Sequence, residues 1–110
     1  MFQSLGEYQK AKEYYEDALA IRKEIGFRKE EAADYRNLGT VLQSVGEYQK
    51  ANEYHRNALA IQKEIGDKRG EAASYGNIGI VFRSLGDYEK AREYQGKALV
   101  ISKEIGRAHV

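Results

Sequence analysis

The sequence predicts an all-α chain made of antiparallel helical hairpins set in a row, and three observations predict it. Laid over itself at a shift of about 40 residues, the chain aligns Gly6 with Gly46 and Gly86, Tyr8 with Tyr48 and Tyr88, and Ala11 with Ala51 and Ala91. Within each repeat the apolar residues recur at three- and four-residue steps, the spacing that gathers side chains on one stripe of a helix. There is no proline among the 110 residues, and single glycines fall where the periodic runs stop. The match extends through Glu13, Glu53 and Glu93, through Tyr14, Tyr54 and Tyr94, and through Ala18-Leu19-Ala20-Ile21, Ala58-Leu59-Ala60-Ile61 and Ala98-Leu99-Val100-Ile101, each block followed by Lys-Glu-Ile-Gly. One structural unit has been duplicated.

The elements follow from the period. A helix over about 7–25 comes first, then hairpins over about 28–65 and 68–105, about five helices in all. The units are 1–26 (incomplete, mainly a second helix), 27–66 and 67–106, with 107–110 as a tail. In the middle unit Tyr35, Leu38 and Leu42 mark one helix, and Tyr48, Ala51, Tyr54 or His55, Ala58, Leu59 and Ile61 mark the next. Gly46 divides them, since glycine can take the left-handed conformation that ends a helix, and Glu47 suits the positive start of the following one. Gly66 closes the second helix, and Asp67 can cap the first helix of the next unit. Phe27 stands where Asp67 stands, so the earlier junction is expected to lack a cap. Gly39 and Gly79 lie inside first helices, where close packing against Ala51 and Ala91 offsets their intrinsic cost. The tyrosines read as core pieces.

Composition excludes several function classes. Formal net charge is +1 with both signs interspersed, so no cationic face for nucleic acid is expected. No window approaches the roughly 18 apolar residues of a membrane span, and Met1-Phe2-Gln3-Ser4 lacks the features of a signal peptide. The absence of cysteine suits a reducing compartment, and the expected location is cytoplasmic.

Catalysis would need a group that stands apart from the repeat, and none does. Ser4, Ser44 and Ser84 recur before the turn, where they can bond nearby backbone, with no histidine placed to activate them. His55 occupies the position of Tyr15 and Gln95 and reads as a variable helix site, and a metal site would require it to converge with distant His109. The glycines are isolated, so no phosphate-binding loop is present. The chain is read as non-enzymatic, without cofactor or metal. Glu7 with Lys10, Glu47 with Lys50 and Glu93 with Lys97 have the spacing of surface ion pairs.

The pattern Tyr35-x-x-Leu38-Gly39-x-x-Leu42, then Gly46-x-Tyr48-x-x-Ala51 and Ala58, resembles the tetratricopeptide repeat, as does Tyr75-x-x-Ile78-Gly79-x-x-Phe82 with Gly86, Tyr88, Ala91 and Ala98. The period exceeds the usual 34 or so residues, and Lys-Glu-Ile-Gly replaces the usual proline, which looks like the long repeats of Pins-type spindle-orientation adaptors and of kinesin light chains. The resemblance implies a right-handed αα superhelix, a solenoid whose inner surface is lined by first helices and receives a peptide or helix from a protein partner. Carried onto this chain, the groove positions are Ala33, Arg36, Asn37, Thr40, Gln43 and Ser44, then Ala73, Gly76, Asn77, Ile80, Arg83 and Ser84. An amide at 37 and 77 could pair with the backbone of an extended peptide, or equally bond within the array. Arg36 and Arg83 could fork onto an acidic side chain or simply be solvated. Gly76 removes a side chain from the groove.

A repeat unit buries its apolar face only against neighbours. The terminal helices keep the internal pattern, with Ala11, Tyr14, Ala18 and Leu19 at one end and Ala91, Tyr94, Ala98 and Leu99 at the other. Part of this surface is expected to be bare in a monomer, as in a fragment of a longer array. The expected outcome in isolation is a homo-oligomer, formed by end-to-end stacking or by helix exchange.

Overall fold

The computed structural model describes residues 5–108, which form five α-helices: α1 (Leu5–Ile25), α2 (Arg28–Ser44), α3 (Tyr48–Ile65), α4 (Lys68–Ser84) and α5 (Tyr88–Ala108). Each packs against its neighbours in the chain, so α2–α3 and α4–α5 are the two hairpins and α1 lies against α2. No strand occurs among the described residues.

All four turns are built alike. Gly66 has φ +72°, and the amide of the next residue, Asp67, reaches back to the carbonyl of Gln62 at 2.9 Å, which satisfies a carbonyl that the helix end would leave open. The same backward bond joins Phe27 to Arg22, Glu47 to Leu42 and Asp87 to Phe82. Entry to the following helix differs from turn to turn. The Asp67 carboxylate accepts from the amide of Gly70 at 3.0 Å and Asp87 from that of Lys90 at 3.1 Å, whereas Phe27, as expected, gives α2 no side-chain cap. Glu47 gives none to α3 either. Gly106 departs from the pattern, because α5 runs through it to Ala108. Its sequence equivalents Gly26 and Gly66 turn the chain into a further helix, whereas Arg107 and Ala108 are good helix formers that continue this one.

Inside each hairpin a glycine sets the approach of the helices. A Cβ on Gly39 would come within 2.6 Å of the His55 ring, and one on Gly79 would meet Gln95 Cγ at 2.7 Å and the Ala91 carbonyl at 3.1 Å. The main core lies around α4, where Leu59, Tyr75, Ile78, Phe82, Ala91 and Ile101 are buried together. Smaller clusters join Ala32, Ala58 and Ile61, and Leu42, Ala51 and Val81. The tyrosines are less central than expected. Only Tyr75 is fully buried; Tyr35, Tyr54 and Tyr94 lie half-buried at helix contacts, and Tyr14 and Tyr88 are exposed. A phenol keeps one polar end, which favours the margins of a contact over its centre. Several carry a lysine ammonium over the ring, Lys23 on Tyr35 and Lys63 on Tyr75 at 5.2 and 5.4 Å.

The joints between units use one geometry with two chemistries. Arg22 of α1 donates to the Asp34 carboxylate at 2.8 Å and to the Glu30 carbonyl at 3.3 Å, both on α2. One repeat later Gln62 meets Ser74 Oγ at 2.6 Å, and with its amide nitrogen turned inward it donates to the Gly70 carbonyl at 2.9 Å. Asp34, Gln62 and Ser74 are all buried. Burial pushes the Asp34 carboxyl above its ordinary value, and Arg22 opposes that shift. At the ends Tyr14 and Leu99 are exposed as expected, but Leu19 is buried, and so is Ala91.

Two outcomes are expected in urea unfolding. Gly39→Ala should lower stability by about 1–2 kcal/mol net, because the His55 ring must move, although alanine is the better helix former; Gly76→Ala, with open space at its Cβ, should raise it by about 0.5–1 kcal/mol. Ser74→Asp should cost about 2–4 kcal/mol by burying a carboxylate opposite an amide, and adding Gln62→Arg should recover more than half of that loss.

Candidate functional site

The groove positions expected from the sequence all fall on α2 and α4. Arg36, Asn37, Gln43, Gly76 and Asn77 are half-buried, while Thr40, Ser44, Ile80, Arg83 and Ser84 are exposed. The hydroxyls of Thr40 and Ser44 are spent on their own helix, donating to the carbonyls of Arg36 and Thr40 at 3.1 and 3.0 Å. Neither amide, Asn37 nor Asn77, has a hydrogen-bond partner among the described residues, and Arg36 and Arg83 form no ion pair there. A position that recurs one unit apart and keeps a half-buried amide unpaired differs from an array-building residue such as Gln62, whose amide bonds Ser74 and Gly70 across the joint.

At the N-terminal ends of the two helices the face deepens into a cleft of about 260 Å³, lined by Lys29, Ala33 and Arg36 of α2, Gln62 of α3, Asp67 of the turn, and Arg69 and Gly70 of α4. Of the expected groove residues, Ala33 and Arg36 reach this cleft, and the others continue along the helices beyond it. Sequence reasoning missed Lys29, Gln62, Asp67 and Arg69. Lys29 and Arg69 were legible in principle, being one period apart, but Gln62 enters from a second helix and no first-helix pattern can include it. The cleft holds three cationic side chains against the single carboxylate of Asp67, which also caps α4.

Behind the groove stands His55. Its ring is completely enclosed and neither nitrogen has a partner, so the position that varies between units is a packed one. Burial, helped by the charge of Arg36, pushes its pKa down to about 4. Gly39 opens the space that the ring fills, and Tyr15 and Gln95 at the equivalent positions gave no hint of such enclosure. Asn52, one turn earlier on α3, also has a buried amide oxygen without a partner. No cluster of three or more His, Cys, Asp or Glu with metal-binding geometry occurs among the described residues, and His109 lies outside them. Among those residues no helix is long and apolar enough to cross a membrane.

Tetratricopeptide repeat models match residues 1–64 and 30–104. The chain belongs to the tetratricopeptide repeat family. Such repeats form a protein-interaction fold, generally without enzymatic activity, in which helical hairpins stack into a superhelix. Among solved structures, the tetratricopeptide domain of Arabidopsis FLU superposes with a TM-score of 0.82 at 32% identity, over 89% of this chain and 82% of that one. BtubC (BKLC) from P. vanneervenii gives a TM-score of 0.84 at 26% identity over 93% of this chain, which spans 42% of BtubC. No curated protein matches.

The depressed His55 value fixes a pH response. The unfolded chain binds a proton below about 6.5 and the folded chain only below about 4, so stability is whole above the first value and is lost progressively as pH falls towards the second. Unfolding free energy should drop by roughly 2 kcal/mol between pH 7 and pH 5 from this group alone. His55→Gln, which places here the side chain that Gln95 supplies one unit later, should abolish that component, as read from urea melts at the two pH values.

Proposed function

We propose that the chain is an adaptor whose α2–α4 face binds an extended peptide or a helix of a partner protein. The observation that carries this reading is the pair of unpaired, half-buried amides at Asn37 and Asn77, one unit apart on successive first helices. An amide offers both donors and an acceptor, so two of them at a fixed spacing can hold a peptide backbone whatever its side chains. Arg36, Gln43, Gly76, Ile80 and Arg83 then supply the contacts that differ between units, with Thr40, Ser44 and Ser84 along the margin. The reading places the chain in the cytoplasm, with neither nucleic acid nor membrane as partner, and takes its units as 1–26, 27–66 and 67–106. The period of about 40 and the likeness to BtubC (BKLC) support membership of the long-repeat class that includes Pins-type adaptors and kinesin light chains.

A second reading is self-association through the terminal helices, favoured by the exposure of Tyr14, Ile21 and Ile25 on α1 and of Tyr88 and Leu99 on α5.

Selection from a random 15-residue peptide display library, followed by titration of the enriched peptides, tests the adaptor reading. Asn37→Ala and Asn77→Ala should each weaken binding about 5- to 10-fold, the worth of a hydrogen bond or two. Enriched peptides that ignore both substitutions would move the site off this face, and a library that yields none would sink the reading.

A further inference from the structure

Both first helices open on two cations, Arg28-Lys29 on α2 and Lys68-Arg69 on α4. The leading one is spent on carboxylates: Arg28 pairs with Glu31 and with Glu64, and Lys68 with Glu71 at 3.4 Å. The following one, Lys29 or Arg69, lines the cleft between the two helices. Lys29, Ala33 and Arg36 stand at steps of four and three, so they share one stripe of α2, with the alanine leaving room between the two charges. Neither the Lys29 nor the Arg36 side chain forms an ion pair or a hydrogen bond among the described residues. On the facing wall a Cβ at Gly70 would come within 2.5 Å of the Asp67 carboxylate, so the glycine keeps that wall low while Asp67 holds its cap. The cleft is complete within α2, α3, α4 and the turn that joins the last two.

Three cations against one carboxylate give the cleft a net charge of +2. The whole chain carries only +1, so everything outside the cleft sums to −1. Positive charge is therefore concentrated here in a chain that is otherwise balanced. Like charges set around one hollow repel, and a single anion between them would turn that repulsion into attraction from both walls.

We infer that this cleft takes the phosphate monoester of a phosphorylated serine or threonine on the partner peptide. The inference rests on the adaptor reading above and gives its face a chemical preference. At neutral pH such a group carries about −1.5 to −2 charges, which matches the cleft, and its three terminal oxygens can each meet a different cation. A carboxylate brings one charge and two oxygens. Arg36 and Arg69 supply forked contacts and Lys29 a point charge. Arg36 belongs to the groove as well as to the cleft, so a peptide anchored here stays on the face that carries Asn37 and Asn77.

A synthetic 15-residue peptide library with a fixed central phosphoserine, set beside the same library with serine or glutamate at that place, tests the inference. Resynthesised phosphopeptides should bind about tenfold or more tighter than their serine forms and about fivefold or more tighter than their glutamate forms. Lys29→Gln and Arg69→Gln should each weaken the phosphopeptide about three- to tenfold and leave the serine form within about twofold. Lys103→Gln, which removes the same charge from an exposed position on α5, should change neither. All three positions are exposed, and circular dichroism checks that the variants keep their helices. Titration with phenyl phosphate, followed by amide NMR, reads the cleft without any peptide: the shifts should saturate around Lys29 and Gly70 and vanish in the Lys29→Gln, Arg69→Gln double variant. Serine peptides that bind through Asn37 and Asn77 and gain nothing from phosphate overturn the inference and leave the adaptor reading standing. Phenyl phosphate that saturates the cleft while no library yields a ligand overturns the adaptor reading, and with it the peptide as bearer of the phosphate. Glutamate forms that bind as tightly as phosphoserine forms, or shifts that never saturate, overturn the phosphate assignment.

Discussion

Gly39 and Gly79 let the helices of each hairpin come together closely enough for the side chains one turn beyond Ala51 and Ala91 to fill the gap, and much of the remaining packing depends on that approach. In the first full hairpin the filler is His55; in the second it is Gln95, with its aliphatic stem against Gly79. Where the filler is an imidazole without partners, the packing is obtained only in the neutral form, so a contact of shape also becomes a contact with an acid–base requirement. Arg36, on α2, adds to that requirement, because its charge reaches the enclosed ring and disfavours the protonated form.

Stacking of one unit on the next obeys a second constraint. A long polar side chain at position 22 or 62 crosses to the following first helix and is held by a carbonyl and by a side chain four residues further along. Such a bond is directional, which hydrophobic contact is not, so it can fix how far the next hairpin slides and turns. The ionic version at the first joint carries an unpaired carboxylate oxygen on Asp34 with it, and the neutral version at the second does not. Two joints of one shape and different chemistry discourage exchange between units, since a crossed pairing would set a buried charge against a neutral group.

The architecture was legible because it is written several times over. Helix positions, the glycine turns and the missing cap at Phe27 could be read from spacing and residue type alone, and the expected groove positions did fall on α2 and α4. The remainder was hidden for identifiable reasons. A residue that varies between units, as 15, 55 and 95 do, looks tolerant until packing shows that the position is enclosed and merely filled in different ways. The polar bridges at 22–34 and 62–74 connect different helices through unlike pairs, so no single motif contains them. The burial of individual tyrosines depended on which neighbouring helix was present, as the contrast between Tyr14 and Tyr54 shows. Gly106 has the same sequence context as Gly66 up to that residue, and only Arg107 and Ala108, in place of Asp67 and Lys68, distinguish a continued helix from a turn.

The uneven capping of the first helices gives the molecule a direction. Asp67 caps the start of α4, whereas the first turn of α2 has no side-chain cap and is held by arginines instead, Arg22 of α1 donating to the Glu30 carbonyl and Arg28 pairing with Glu31 and with Glu64 of α3. Lys29 sits in that turn, beside the cleft, whereas Arg69, on the opposite wall, is carried by the capped start of α4. One wall of the cleft is thus fastened by ion pairs to neighbouring helices and the other by a cap within its own turn, so dissolved salt, which screens exposed pairs, should loosen the first more than the second.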